Sequence, residues 1–122
     1  MRSVILTLDG AEPDRALPIV REMARRDGGN VVVVHVGEAT SEIESLVAAL
    51  RAEGIAAELE AHPGSPAGAA EIIADVARRR DGRLIVVATG RPPQADAALS
   101  PGLTRRLLGA APCPVVAVPA AA

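Results

Sequence analysis

Three short, almost unbroken apolar runs, Val4 to Leu8, Val31 to Val36 and Leu84 to Ala88, alternate with longer stretches whose apolar residues recur every three or four positions. That alternation is the pattern of repeated βαβ units around a parallel sheet, and continuous apolar strands belong at its centre, covered by helices on both faces. The segment Ile55 to His62 behaves differently, with Ala57, Leu59 and Ala61 on one side and Glu58, Glu60 and His62 on the other. It reads as an edge strand. Val115 to Val118 lies between Pro114 and Pro119, neither of which can donate a ladder hydrogen bond, so it belongs at an edge too. With right-handed crossovers and the third and fifth strands outermost, the predicted fold is a single doubly wound α/β domain. Its five-stranded parallel sheet has order 3-2-1-4-5, with helices on both faces.

Four helices are expected between the strands. In the first, Leu17, Val20, Met23 and Ala24 form a stripe that ends at Asp27-Gly28-Gly29, with Arg25 and Arg26 near the negative end of the dipole. Pro18 fits only if this helix begins close to Asp14. The second has capping-box spacing at Ser41 and Glu44, a stripe of Ile43, Leu46, Val47 and Leu50, and a stop at Gly54. The third opens at Ser65-Pro66, buries Ala69, Ile72, Ile73 and Val76, and ends in Arg78 to Arg80, read as a solvated last turn before Asp81-Gly82. The fourth opens at Ser100-Pro101, carries Leu103, Leu107 and Leu108 inward and stops at Gly109. A proline-rich loop, Arg91 to Leu99, precedes it.

Composition narrows the function classes. A chain of 122 residues, 49% hydrophobic, suits one domain over residues 1–122. A formal charge of -2 leaves no basic surplus to attract nucleic acid or an anionic membrane, and neither partner is expected. With no Phe, Tyr or Trp there is no stacking platform for single-stranded bases, and the core must be built from small aliphatic side chains. The one cysteine, Cys113, excludes a disulfide framework or a thiolate zinc cluster within the chain. Asp9-Gly10 interrupts the first apolar run before a signal-peptide core or membrane span is complete, so a cytoplasmic location is expected.

The winding of such a sheet reverses between the first and fourth strands, and ligands bind in the crevice at the carboxyl ends of that pair. The candidate residues are therefore Leu8, Asp9 and Gly10 after one strand and Thr89 and Gly90 after the other. Asp9 can accept hydrogen bonds from ribose hydroxyls, and Gly90 permits close approach of a phosphate or sugar. The same residues also read as an ordinary Asp-Gly turn and a loop glycine. Ser100, Gly102, Leu103 and Thr104 open the fourth helix, whose free N–H groups suit an anion, although Pro92, Pro93 and Pro101 each remove a donor. Neither a GxxxxGK[ST] loop nor a GxGxxG turn is present. His35 is read as a structural hydrogen-bonding group, His62 as solvated, and Cys113 as a small buried hydrophobe; no metal ligand set emerges. Val115, Val116, Ala117 and Val118 offer an unpaired strand to a second copy.

Several of these segments, in this order, resemble the universal stress protein family. They are Val4-Ile5-Leu6 through Leu8-Asp9-Gly10, Ala16-Leu17 with Met23-Ala24, His35-Val36, Gly64-Ser65-Pro66, Leu84 to Gly90, and Ala111-Pro112-Cys113-Pro114-Val115-Val116. The resemblance implies an adenine nucleotide alpha hydrolase-like arrangement, homodimers through the last strand and, in one branch, ATP binding through a Gly-x2-Gly-x9-Gly-[Ser/Thr] loop. In that branch the residues matching Leu8, Asp9 and Val36 contact the adenosine, and Gly90 matches the first loop glycine. This chain departs from the loop: Pro93 stands at the second glycine, and alignment from Cys113 puts Pro101 and Gly102 at the terminal Gly-Ser, the loop being two residues short. The expectation is a stress-response or regulatory dimer without enzyme chemistry or a required cofactor, its phosphate loop degraded. The alternatives are an adenine-nucleotide binder taking ATP or AMP in the crevice and, third, a slow ATP hydrolase, for which no water-activating base is evident.

Overall fold

The computed structural model describes residues 2–9, 12–27, 29–38, 40–64, 68–89 and 102–119. Its elements run β1 (Ser3–Asp9), α1 (Leu17–Asp27), β2 (Asn30–Val36), α2 (Ser41–Ala52), β3 (Ala57–His62), α3 (Ala69–Arg79), β4 (Gly82–Thr89), α4 (Leu103–Ala110) and β5 (Val115–Pro119). The strands form one sheet of order β3-β2-β1-β4-β5, parallel throughout, as predicted.

Strand alternation divides the interior into two layers. Val4, Leu6, Val31, Val33, Leu84, Val86 and Ala88 meet Val20 and Ala24 of α1 and Ile43, Leu46, Val47 and Leu50 of α2. On the opposite face Ile5, Val32, Val34, Ile85 and Val87 meet Ala69, Ala70, Ile73, Val76 and Ala77 of α3 and Leu107 of α4. Both faces of the central strands are closed, which explains their unbroken apolar runs. At the amino end of β1 and β2, the Ser3 hydroxyl donates to Asn30 Oδ1 at 2.8 Å inside the protein, matching the register that pairs the two residues. Nearby, a Cβ at Gly29 would collide with the Arg2 carbonyl oxygen, so only glycine fits this close approach.

Pro18 is accommodated as anticipated. The chain already turns at Pro13, whose carbonyl accepts from Ala16 and Leu17 at 2.9 Å, and Pro18 is the second residue of α1, in the turn where a missing N–H costs least. The stop of α2 also follows expectation: Gly54 adopts φ +83°, Gly54 N donates to Arg51 O at 3.0 Å, and Ile55 N donates to Leu50 O at 3.1 Å. That double closure caps the last carbonyls while Ile55 and Leu50 share the core.

Other local expectations are corrected. The cap of α2 is Thr40, whose hydroxyl accepts from Ile43 N at 3.3 Å, so Ser41 begins the helix instead of capping it. In α3, Ile72 is only half-buried, and the small residues Ala70, Ala74 and Ala77 face inward beside Ile73 and Val76. α4 continues through Gly109 to Ala110 and turns Leu108 outward at 65% exposure, because only Leu107 falls at the centre of its buried stripe. Ala61, grouped with Ala57 on the apolar side of β3, is exposed near the open end of the sheet. Arg78 to Arg80 are not merely solvated. Arg78 donates to Ala110 O, Arg79 pairs with Asp75 and Glu60, and Arg80 pairs with Glu58 and Glu60. The Ser65-Pro66 and Ser100-Pro101 openings lie outside the described residues.

Candidate functional site

The reversal of winding between β1 and β4 leaves the carboxyl ends of these strands without a helix crossing directly between them. Register fixes what meets there: Asp9 lies opposite Thr89, and Thr89 opposite Pro119 of β5. Asp9 and Thr89 continue the alternation of Ile5, Ile85 and Val87, hence they belong to the face covered by α3 and α4. Val36, half-buried at the end of β2, packs on that same face. Leu8 sits on the other face, against the α1 and α2 layer, so its side chain is separated from that of Asp9 by the sheet. Thr7, buried to 3% exposure, lies one step below Asp9. Asp9 is exposed and, among the described residues, makes no ion pair.

α4 returns from the carboxyl ends of the strands toward their amino ends, which brings Gly102, Leu103 and Thr104 to the same end of the sheet. Gly102 has φ +40° and, as the residue at the N-cap, has no side chain to cap the helix. The first N–H groups of α4 therefore have no intrahelical acceptor and, among the described residues, no capping side-chain oxygen. Leu103 packs into the α3 and α4 layer, and Thr104 is half-buried. Gly10, Gly90, Ser100, Pro92, Pro93 and Pro101 lie outside the described residues.

One residue near this crevice was missed by sequence reasoning. Arg15, exposed in the β1–α1 connection, donates from an Nη to the Pro119 carbonyl oxygen at 3.3 Å. The signal was available: it is the only basic residue between Asp9 and Leu17, in a stretch that otherwise carries Glu12 and Asp14.

The histidines are both committed elsewhere. His35 Nε2 lies 2.8 Å from the Glu38 carbonyl oxygen, the structural hydrogen bond expected of it. His62 is not solvated: its Nε2 is 2.6 Å from Glu60 Oε2 and its side chain is 30% exposed. The carboxylates of β3 are thus paired with arginines at the end of α3. Burial tends to raise the Glu60 pKa, but hydrogen bonds from His62, Arg79 and Arg80 prevail and hold its carboxyl at about 2. Cys113 is half-buried against the α3 and α4 layer, and burial pushes its thiol up, the behaviour of a small hydrophobe. Among the described residues no group of His, Cys, Asp and Glu is arranged to hold a metal ion, and no helix is long and apolar enough to cross a membrane.

β5 borders only β4. Val115 packs toward α3 and α4, Val116 and Val118 pack toward α1 and α2, and Ala117 is exposed.

Comparison with known proteins agrees with this architecture. The profile of the universal stress protein family matches residues 37–119. Among solved structures, a universal stress protein from Archaeoglobus fulgidus in complex with dAMP is 22% identical, with a TM-score of 0.69 over 96% of this chain and 97% of its own. A universal stress protein in complex with cAMP is 16% identical, with a TM-score of 0.70 over 98% of each chain. A third, from Archaeoglobus fulgidus DSM 4304, is 20% identical with a TM-score of 0.74, and the match spans 96% of this chain but 43% of that one. At these identities the likeness is one of fold. No curated protein matches the sequence.

Proposed function

The chain belongs to the universal stress protein family, and from that premise we propose that it is a cytoplasmic, non-enzymatic regulatory module that acts as a homodimer and takes an adenine nucleotide, nucleoside first, in the β1/β4 crevice. The observation that carries the reading is the meeting of three features at one end of one face: the exposed carboxylate of Asp9, the half-buried Val36 and Thr89, and the uncapped start of α4 at Gly102, Leu103 and Thr104. Asp9 accepts from ribose hydroxyls, Val36 supplies apolar surface to the base, and the α4 amides face the anionic end. The relatives solved with dAMP and cAMP support the choice of nucleotide class. Binding, in this reading, shifts the surface offered to partners and does not lead to chemistry, since both histidines are already engaged and no base stands beside Asp9 among the described residues.

The homodimer forms through β5, which borders no further strand on its outer side among the described residues and carries half-buried valines, while the opposite edge strand, β3, carries Glu58 and Glu60, paired with arginines of α3. Charge at one edge and apolar side chains at the other favour self-pairing at β5 alone. Replacing Val116 by Arg then yields monomers by light scattering, and a persisting dimer refutes the edge.

With no Trp or Tyr the protein hardly absorbs near 280 nm, so nucleotide retained through purification shows as a distinct 260 nm band. Added AMP or ATP raises the melting temperature of the wild type, because a ligand of the native state must stabilise it, and Asp9→Ala abolishes the rise. No band and no thermal shift would instead favour a second reading, a partner-binding module without ligand, which the donors lost at Pro93 and Pro101 support.

A further inference from the structure

If the crevice takes a nucleotide, its phosphate must find positive charge, yet Pro93 and Pro101 deprive the expected phosphate loop of backbone donors. The geometry points to Arg15 as the group that receives the phosphate in this chain, a role resting on the nucleotide reading above. Asp9, Thr89 and Pro119 stand side by side across the tips of β1, β4 and β5. Two strand spacings separate the ends of that row, about 10 Å. Asp9 occupies one end, and the Arg15 guanidinium, 3.3 Å from the Pro119 carbonyl oxygen, occupies the other.

The row is therefore polarised, a carboxylate at β1 and a cation at β5. A nucleoside phosphate has the complementary order, hydroxyls that donate to Asp9 and an anion further along the molecule. The reverse placement would set phosphate against Asp9, with Glu12 and Asp14 close by in sequence. The guanidinium is available for this work. It has five N–H donors in a planar fork, its contact with Pro119 is long and exposed, and among the described residues it has no carboxylate partner. The first turn of α4, whose N-cap is a glycine, adds its amides to the same end of the sheet. Charge-assisted hydrogen bonds from a side chain thus replace amides that proline cannot provide.

The test is calorimetric titration of the wild type, Arg15→Ala, Arg15→Gln and Arg15→Lys with adenosine, AMP and ATP at low and high salt. The wild type binds the phosphorylated ligands more tightly than adenosine, and the preference shrinks with salt. Arg15→Ala and Arg15→Gln weaken AMP and ATP by about tenfold or more and leave adenosine unchanged, and Arg15→Lys keeps part of the preference. Equal weakening of adenosine and ATP would show that Arg15 only props the loop against β5, and unchanged ATP binding would remove it from the site; either overturns the proposal. A wild type that binds adenosine no less tightly than ATP keeps the nucleoside crevice and refutes Arg15, whereas one that binds none of the three ligands refutes the nucleotide reading and this proposal together.

Discussion

The fully buried side chain of α4 is Leu107, which holds the helix against the sheet. Leu107 is 0% exposed among Ile73, Val76 and the β4 side chains, while its neighbour Leu108 is 65% exposed. Truncating Leu107 to Ala removes buried methyl groups and leaves a cavity, a loss of about 2–5 kcal/mol in well-packed cores. For a domain of this size each kcal/mol moves the melting temperature by roughly 4 °C, so the variant melts about 8–20 °C lower. Leu108→Ala removes exposed atoms and installs the best helix former, so its stability stays within about 0.5 kcal/mol of the wild type. Far-UV circular dichroism during urea and thermal unfolding measures both, since the chain has no Trp or Tyr to report by fluorescence. Comparable destabilisation by the two substitutions, or a Leu107→Ala variant as stable as the wild type, would refute the packing described for α4 and with it the placement of Gly102 to Thr104.

Two further outcomes follow from ionisation. Glu60 holds its proton only below about pH 2 in the folded protein against an ordinary value of 4.5, so its contribution is present above the unfolded value and lost as pH falls through this window. Glu60→Gln should lower stability at neutral pH by about 1–2 kcal/mol, allowing for the exposure of its arginine partners, and the gap should close between pH 4.5 and about 2; a gap that persists in acid would contradict the ion-pair account. Cys113, its thiol raised by burial, should react with an aromatic disulfide reagent at pH 8 far more slowly in the native protein than in urea, and equal rates would contradict its burial.

The sheet order was legible because β1, β2 and β4 are apolar on both faces, while β3 alternates and β5 is fenced by prolines. The position of the candidate crevice followed from that order alone, and Asp9, Val36 and Thr89 fall on the α3/α4 face of the sheet. Alternation put the Leu8 side chain on the far side of the sheet, a consequence of period two that a list of strand-end residues ignores. Side-chain pairing was the least legible. Nothing in Arg78-Arg79-Arg80 announces that Glu58 and Glu60, about 20 residues earlier, lie beneath the end of α3, since ion pairs between elements depend on packing and not on local spacing. The same holds for His62 on Glu60 and for Arg15, which meets a carbonyl at the other end of the chain. The outward turn of Leu108 escaped notice because α4 is short, and in 8 residues two adjacent leucines satisfy a helical stripe equally well.

The central claim is a ligand site at the carboxyl ends of β1 and β4, on the side of α3 and α4. Backbone amide shifts of the isotope-labelled protein, recorded while AMP is added, test it most directly. The account predicts saturable changes concentrated at Asp9, Val36, Thr89 and Gly102 to Thr104, with little movement along β3 or the exposed side of α2. Changes gathered at those distant surfaces, or none at any nucleotide concentration, would contradict it.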